Sequence, residues 1–290
     1  MNLSPNTVIY QIYPKSFYDA DGDGFGDFAG IVQKFDYLKS LGVGPLLLSG
    51  VFVEPKSMKE CRELGYLVPD PRLGGERGLQ SLLKSARLRG FSILLEAFVS
   101  DTSPSHPWFR EACLFQKGQK RDFYFFKPAG DEPIPLPGDG RLWEYDRKAK
   151  ACCLCLHREG RVSLNWENED AAAAVCSFFK RWSDAGVYGF SVGPPPASAE
   201  AASLPLNAPR PRAGCYCPDE PRLSNYHSFE SFWAHYLKEW DIEKCPVILG
   251  SEALPPPPPK YSPKKEPVRP YRPFPRNIMN IDCGKLGKYQ

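Results

Sequence analysis

The stretch VIYQIYPKSFYDADGDGFGD, Val8 to Asp27, decides how this chain is to be read. Its first part, Val8 to Tyr13, is apolar or aromatic at nearly every position and is stopped by Pro14, the pattern of a short strand buried on both faces. Its second part, Asp19 to Asp27, sets carboxylates at Asp19, Asp21, Asp23 and Asp27 with glycines between them. Unneutralised, that density of negative charge repels itself. A hard cation would relieve it, with oxygen ligands at about 2.3–2.6 Å from the four Asp side chains and the backbone carbonyl of Phe25. The glycines let the loop fold around such an ion. An EF-hand is excluded, because its twelfth position calls for Glu and here holds Gly30. The plain alternative is a solvated acidic turn.

Outward from this stretch, strand and helix alternate. Phe28, Ile31, Val32, Phe35, Leu38 and Leu41 recur at helical spacing over residues 28–41, closed by Gly42. A strand is predicted at 45–51, a helix at 79–88 with Gly90 just past it, and a strand at 92–98. Runs apolar on both faces imply a parallel sheet with helices outside. The rhythm stops near residue 101. Residues 102–166 are aromatic, turn-rich and irregular, and read as an excursion inserted into the αβ framework. The rhythm resumes with a helix at 169–185 and a strand at 187–192.

Residues 193–222, rich in Pro, Ala and Ser, read as a loop that cannot bury enough apolar area to offset its ordering entropy. A helix at 225–239 and a strand at 246–250 follow. Pro255 to Pro259 then opens a basic, proline-rich tail over 254–290, read as polyproline II or disordered, with an SH3 or WW ligand within 254–276 as an option. The predicted organisation is therefore 1–101 and 167–253 as two parts of one framework, 102–166 as the insertion and 254–290 as the tail. The five strands fit the first five of a (β/α)₈ barrel, an α/β fold of about 250 residues or more. The chain ends before strands six to eight, and a barrel halted there leaves two open edges, which predicts aggregation or need of a partner.

Composition narrows the function classes. A net charge of +3 over 290 residues gives no electrostatic case for nucleic acid or a membrane surface. Ten cysteines follow no zinc spacing, so disulfides and free thiols both stay open. No apolar run reaches the roughly 20 residues of a membrane helix. The start, Met1 to Thr7, has neither a charged nor an apolar leader segment.

Five segments together carry a family resemblance: Val8 to Phe17, the Asp19–Asp27 loop, Phe35 to Gly42, His106 to Phe109, and Leu164 to Asn168. They resemble the α-glucosidase branch of glycoside hydrolase family 13, which includes oligo-1,6-glucosidases, maltases and the heavy chains of heteromeric amino-acid transporters. The resemblance covers about residues 7–192, returning at 225–253. It implies a (β/α)₈ barrel with a domain inserted after the third strand, and calcium in the acidic loop.

The resemblance also assigns site positions, and several hold other residues. Retaining glycosidases use two carboxyl groups about 5–5.5 Å apart. The family's nucleophilic Asp after the fourth strand is matched by Gly193 in Gly189-Phe190-Ser191-Val192-Gly193, and its sugar-binding Arg by Ser191. The Asp, Asn and His after the third strand are matched by Glu96, Ser100 and Asp101. The Gly-Tyr-Asp that grips the terminal sugar is matched by Gly65-Tyr66-Leu67. The acid/base position holds Glu252, and Tyr66 is a candidate sugar-stacking ring. Glu96, without the Asn and His, reads as structural.

Loss of one core group can cost about a millionfold in rate. The residues thus predict a catalytically inactive domain resembling a transporter heavy chain, with partner association or amino-acid transport as its role and a membrane transporter light chain as partner. Heavy chains place such a domain on the extracellular face of the plasma membrane. The alternatives are an α-glucosidase acting on short α-glucosides and a carbohydrate- or partner-binding module.

Overall fold

Four short strands, each apolar on both faces, lie side by side in parallel: β1 (Ile9–Ile12), β2 (Pro45–Leu48), β3 (Ser92–Ala97) and β4 (Gly189–Val192). The structure is a computed structural model that describes residues 8–130, 134–136, 139–156, 160–193, 197 and 199–210, and the backbone of 247–249 and 278–279. β5 (Val247–Leu249) joins the β4 edge and β6 (Ile278–Met279) the β1 edge, giving the order β5-β4-β3-β2-β1-β6. All the pairings are parallel, with Tyr10 opposite Leu46, Leu46 opposite Ile93, and Leu95 opposite Phe190. The fold is that of a TIM-type barrel. The segment read as a structureless tail therefore supplies β6, a sixth strand that the proline-rich composition around it conceals.

Period-two alternation sorts the strand residues onto two faces. Ile9, Leu47 and Leu94 form a small cluster on one face, the inside of the curved sheet. Tyr10, Ile12, Leu46, Leu48, Ile93, Leu95, Phe190 and Val192 join the main core on the other, against the helices. The helices that cover this face are α1 (Phe28–Gln33), α2 (Phe35–Ser40), α3 (Gly75–Arg89) and α4 (Glu169–Asp184). Residues 28–41, which the apolar stripe reads as one helix, are two, with Lys34 between them at φ −96°, ψ 6°. α4 starts where Asn168 Oδ1 accepts the Ala171 amide at 2.9 Å, and it buries Val175, Phe178, Phe179 and Trp182.

The excursion after β3 builds a three-stranded antiparallel sheet in the order Phe126–Lys127, Ala151–Leu154, Trp143–Asp146. Val162–Ser163 returns antiparallel to Asp101–Thr102 and ties this sheet to the barrel. Part of the segment read as unable to pack does pack here. Ala197, Ala201, Leu206 and Ala208 bury themselves against Trp143, Cys152, Leu154 and Leu156, with a short helix at Ala199–Ser203. The carbonyl of Leu204 accepts from Lys127 Nζ (2.5 Å) and Trp143 Nε1 (3.2 Å), and Arg210 pairs with buried Glu144. Small Ala side chains fit close under the sheet, and the two charged partners settle the ends.

Six cysteines of the described residues, Cys61, Cys113, Cys152, Cys153, Cys155 and Cys176, are buried free thiols. Among the described residues no helix is long and apolar enough to cross a membrane.

Candidate functional site

In parallel barrels chemistry sits at the C-terminal ends of the strands. There the inner face changes from apolar to polar: two residues beyond Ile9, Leu47, Leu94 and Gly189 come Gln11, Ser49, Glu96 and Ser191. Gln11 Nε2 donates to Ser49 Oγ at 2.7 Å and to Tyr13 Oη at 3.2 Å. Glu96 lies opposite Ser191 in register and hydrogen-bonds the Ser49 hydroxyl and the Gly50 amide. Burial raises the Glu96 carboxyl above the usual range, and those two hydrogen bonds only partly offset it. The Tyr13 hydroxyl is raised too, first by burial and then by the negative charge of Glu96. Glu96 is thus a half-buried acid beside Ser49 and Tyr13, which Gln11 joins by hydrogen bonds.

Gly193, at the expected nucleophile position, follows β4 and donates its amide to the Ala97 carbonyl at 3.1 Å. It carries no group that could attack. Glu252, the acid/base candidate, lies outside the described residues, as do the helix at 225–239 and the 254–276 segment.

Tyr66 is corrected from candidate sugar contact to packing residue, being only 1% exposed. Its hydroxyl donates to the Asp101 carbonyl at 2.6 Å, and its ring packs with His106 and Trp108. Burial pushes the hydroxyl well above its ordinary pKa. His106 caps the helix Pro107–Leu114: Nδ1 accepts the Trp108 amide (3.2 Å) while Nε2 faces the Tyr66 carbonyl (3.2 Å). A carbonyl can only accept, so Nε2 carries the proton and the ring is neutral. Burial agrees, pushing His106 down to about 4.

Around this core Arg161 bridges Asp101 (Nε to Oδ1, 2.7 Å) and Glu54 (Nη1 to Oε1, 2.8 Å). Glu54 also accepts the Ser103 amide at 2.7 Å and the Ser103 hydroxyl. The position that the resemblance gives to a catalytic-site His is thus held by Asp101, in a network that joins the barrel to the inserted sheet. The sequence reading missed Glu54 and Arg161, which carry no motif and meet only through the fold. Alternation along β1, β2 and β3 was the signal that places Gln11, Ser49 and Glu96 together.

In the acidic loop, carboxylate oxygens of Asp19, Asp21 and Asp27 converge to within 4.8 Å of one another. Asp23, expected as a further ligand, is not in that set: its Oδ1 accepts the Phe25 amide at 2.8 Å. Asp19 accepts from Gly22 (2.7 Å) and Gly24 (2.8 Å), which hold its carboxyl below the usual range, the Gly24 bond first. Asp27 Oδ1 caps α1 through Gly30, at 2.6 Å. Two glycines act by close approach. A β-carbon at Gly26 would stand 2.1 Å from the Pro14 carbonyl oxygen, and one at Gly30 2.0 Å from that of Tyr18. Three hard oxygen donors at this spacing suit a divalent cation such as Ca²⁺.

Polar residues at the strand ends of a parallel barrel with an inserted sheet place a candidate site where such barrels carry their chemistry. The family model described as alpha amylase, catalytic domain, matches residues 11–243, and the chain belongs to that family. It is 37% identical over 188 residues to the oligo-1,6-glucosidase of Heyndrickxia coagulans, covering 63% of this chain and 34% of that one. It is 36% identical over 187 residues to the glucan 1,6-alpha-glucosidase of Streptococcus pneumoniae serotype 4 (strain ATCC BAA-334 / TIGR4), covering 64% and 34%. A solved structure of a family GH13_31 enzyme superposes with a TM-score of 0.66 at 25% identity, covering 85% of this chain and 46% of that one. The chain therefore spans about a third of the length of the curated relatives it matches. The expectation of a chain without enzymatic activity is overturned by these relatives, which are named as glucosidases and, for the solved structure, as an enzyme.

Proposed function

We propose that the chain works as part of an α-glucosidase acting on short α-glucosides. The observation that carries this reading is the placing of half-buried Glu96 at the strand ends, opposite Ser191 and beside the hydrogen-bonded group of Gln11, Ser49 and Tyr13. Hydrolysis of a glycoside needs one carboxyl group to protonate the leaving oxygen and a second to act on the opposite face. Glu96 is proposed as the proton donor, because burial shifts its carboxyl in the direction that favours the protonated form. Glu252, which the resemblance puts at the acid/base position, is taken in this proposal as the second carboxyl. Because Gly193 offers no nucleophile, the second carboxylate would deprotonate a water that attacks the anomeric carbon, the inverting course.

Purified protein incubated with maltose, isomaltose and p-nitrophenyl α-glucoside tests this. Turnover is expected, with β-anomeric glucose as first product by proton NMR, and with loss of activity in Glu96→Gln. Turnover unchanged in Glu96→Gln, or an α-anomeric first product, would remove this assignment of roles.

For the acidic loop we propose a structural Ca²⁺ held by Asp19, Asp21 and Asp27, bracing the segment between β1 and α1. A second reading, association with a membrane amino-acid transporter light chain, is favoured by one observation, Ser191 at the strand end, a position where one of the heavy chains it resembles also carries Ser. Co-precipitation with such a light chain tests it, and absence of a complex removes it.

A further inference from the structure

Phe98 and Gly193 follow the paired ends of β3 and β4, where Ser191 lies opposite Glu96 and the Gly193 amide reaches the Ala97 carbonyl. Gly193 is buried, and a β-carbon there would stand 2.3 Å from Phe98 Cδ1 and 2.9 Å from Cε1. No left-handed φ requires a glycine at this point. What requires it is room for the Phe98 ring. The Cδ1–Cε1 side of that ring rests on Gly193, while Phe98 remains 40% exposed.

By strand alternation Phe98 continues the inner face that carries Leu94 and Glu96. It is thus a solvent-facing aromatic ring two residues from the candidate acid, at the mouth of the barrel. Tyr66, the ring expected to meet the sugar, is sealed inside with its hydroxyl on Asp101. We propose that Phe98, seated on Gly193, is the aromatic platform that binds a glucosyl ring of the substrate, an assignment that rests on the α-glucosidase reading. One face of a pyranose presents mainly C–H groups, and a rigid aromatic ring offers it apolar area at low conformational cost. Gly193 contributes by shape alone, since any side chain there displaces the ring. Glu96 and Tyr13, on the same face, are then placed to meet the sugar's hydroxyl groups.

The test is a maltose titration of the full chain, read by intrinsic fluorescence, with thermal melts of each variant. Phe98→Leu keeps an apolar group on Gly193 but removes the ring, and is expected to weaken maltose binding about tenfold. Phe98→Trp is expected to keep or tighten it. Gly193→Ala, which touches no sugar in this arrangement, is expected to weaken it by dislodging Phe98. Binding within twofold of wild type in folded Phe98→Leu would overturn the platform while leaving the glucosidase reading standing. Should Phe98→Leu not fold, unchanged affinity in Gly193→Ala or lost affinity in folded Phe98→Trp overturns it instead. A wild-type chain that neither binds nor hydrolyses maltose would overturn the glucosidase reading and the platform together.

Discussion

The hydroxyl of Tyr66 donates to the main-chain carbonyl of Asp101 at 2.6 Å, fastening the barrel to the start of the inserted sheet. Tyr66→Phe leaves that carbonyl with the longer bond from Arg161 Nη2 at 3.3 Å, and a loss of about 0.5–1.5 kcal/mol of stability is expected. Urea denaturation measures it. Maltose affinity is expected to stay unchanged; a fall in affinity at unaltered stability would return Tyr66 to the sugar site.

Arg161 holds two acids at once, Asp101 at 1% exposure and Glu54. Arg161→Met removes the cation and, with it, the ion pair that the buried Asp101 carboxylate makes. Breaking a buried pair this way costs about 3–5 kcal/mol, and partial exposure of Arg161 places the expected loss at the lower end. Arg161→Lys is expected to recover little, because one ammonium cannot reproduce the fork that spans both acids. Full recovery by Lys would show that only charge matters there.

His106 sets a pH dependence. Its folded pKa of about 4 lies below the ordinary 6.5, so the unfolded chain takes up a proton that the folded one refuses. The neutral ring's contribution is complete above about pH 6.5 and is lost as pH falls from there towards 4. It is on the order of 3 kcal/mol. Melting curves between pH 7.5 and 4 are expected to show this slope in wild type and a shallower one in His106→Gln, which keeps a donor towards the Tyr66 carbonyl. Identical slopes would assign the pH dependence to other groups.

Calcium added to the chelated protein is expected to raise the melting temperature, through a stabilisation of about 2.7 kcal/mol at a hundredfold excess over the dissociation constant. Asp21→Asn is expected to abolish the increment with little effect on the calcium-free melt. Asp27→Asn is expected to lower both: Asn can still cap α1, but its amide nitrogen cannot accept the Ala20 amide that Asp27 Oδ2 accepts at 3.1 Å. Indifference of wild type to calcium would reduce the loop to an acidic turn braced by its own amides.

The strands were legible because parallel strands are apolar on both faces and end in turn residues, so Pro45–Leu48 and Ser92–Ala97 fall inside the predicted runs. The break at Lys34 was not, because the apolar stripe continues across it. The packing of 197–210 was hidden for a different reason: Ala201 and Leu206 find their partners on strands far back in the chain, and local composition is blind to that. The site divides in the same way. Gly193 was visible as a departure from the family pattern, but why a glycine fits there depends on Phe98, a contact that only the fold creates. Tyr66 looked like a sugar ligand by position, and its burial depends on His106, Trp108 and Asp101, all distant in sequence.

The central claim is that Glu96 serves as an acid in α-glucoside hydrolysis. It is tested most directly by the rate of p-nitrophenyl α-glucoside cleavage by wild type and Glu96→Gln, with folding of both verified by melting. The expected result is measurable wild-type turnover that falls by at least about 10²-fold in Glu96→Gln. Equal rates in the two proteins, or no turnover in a folded wild-type chain, would contradict it.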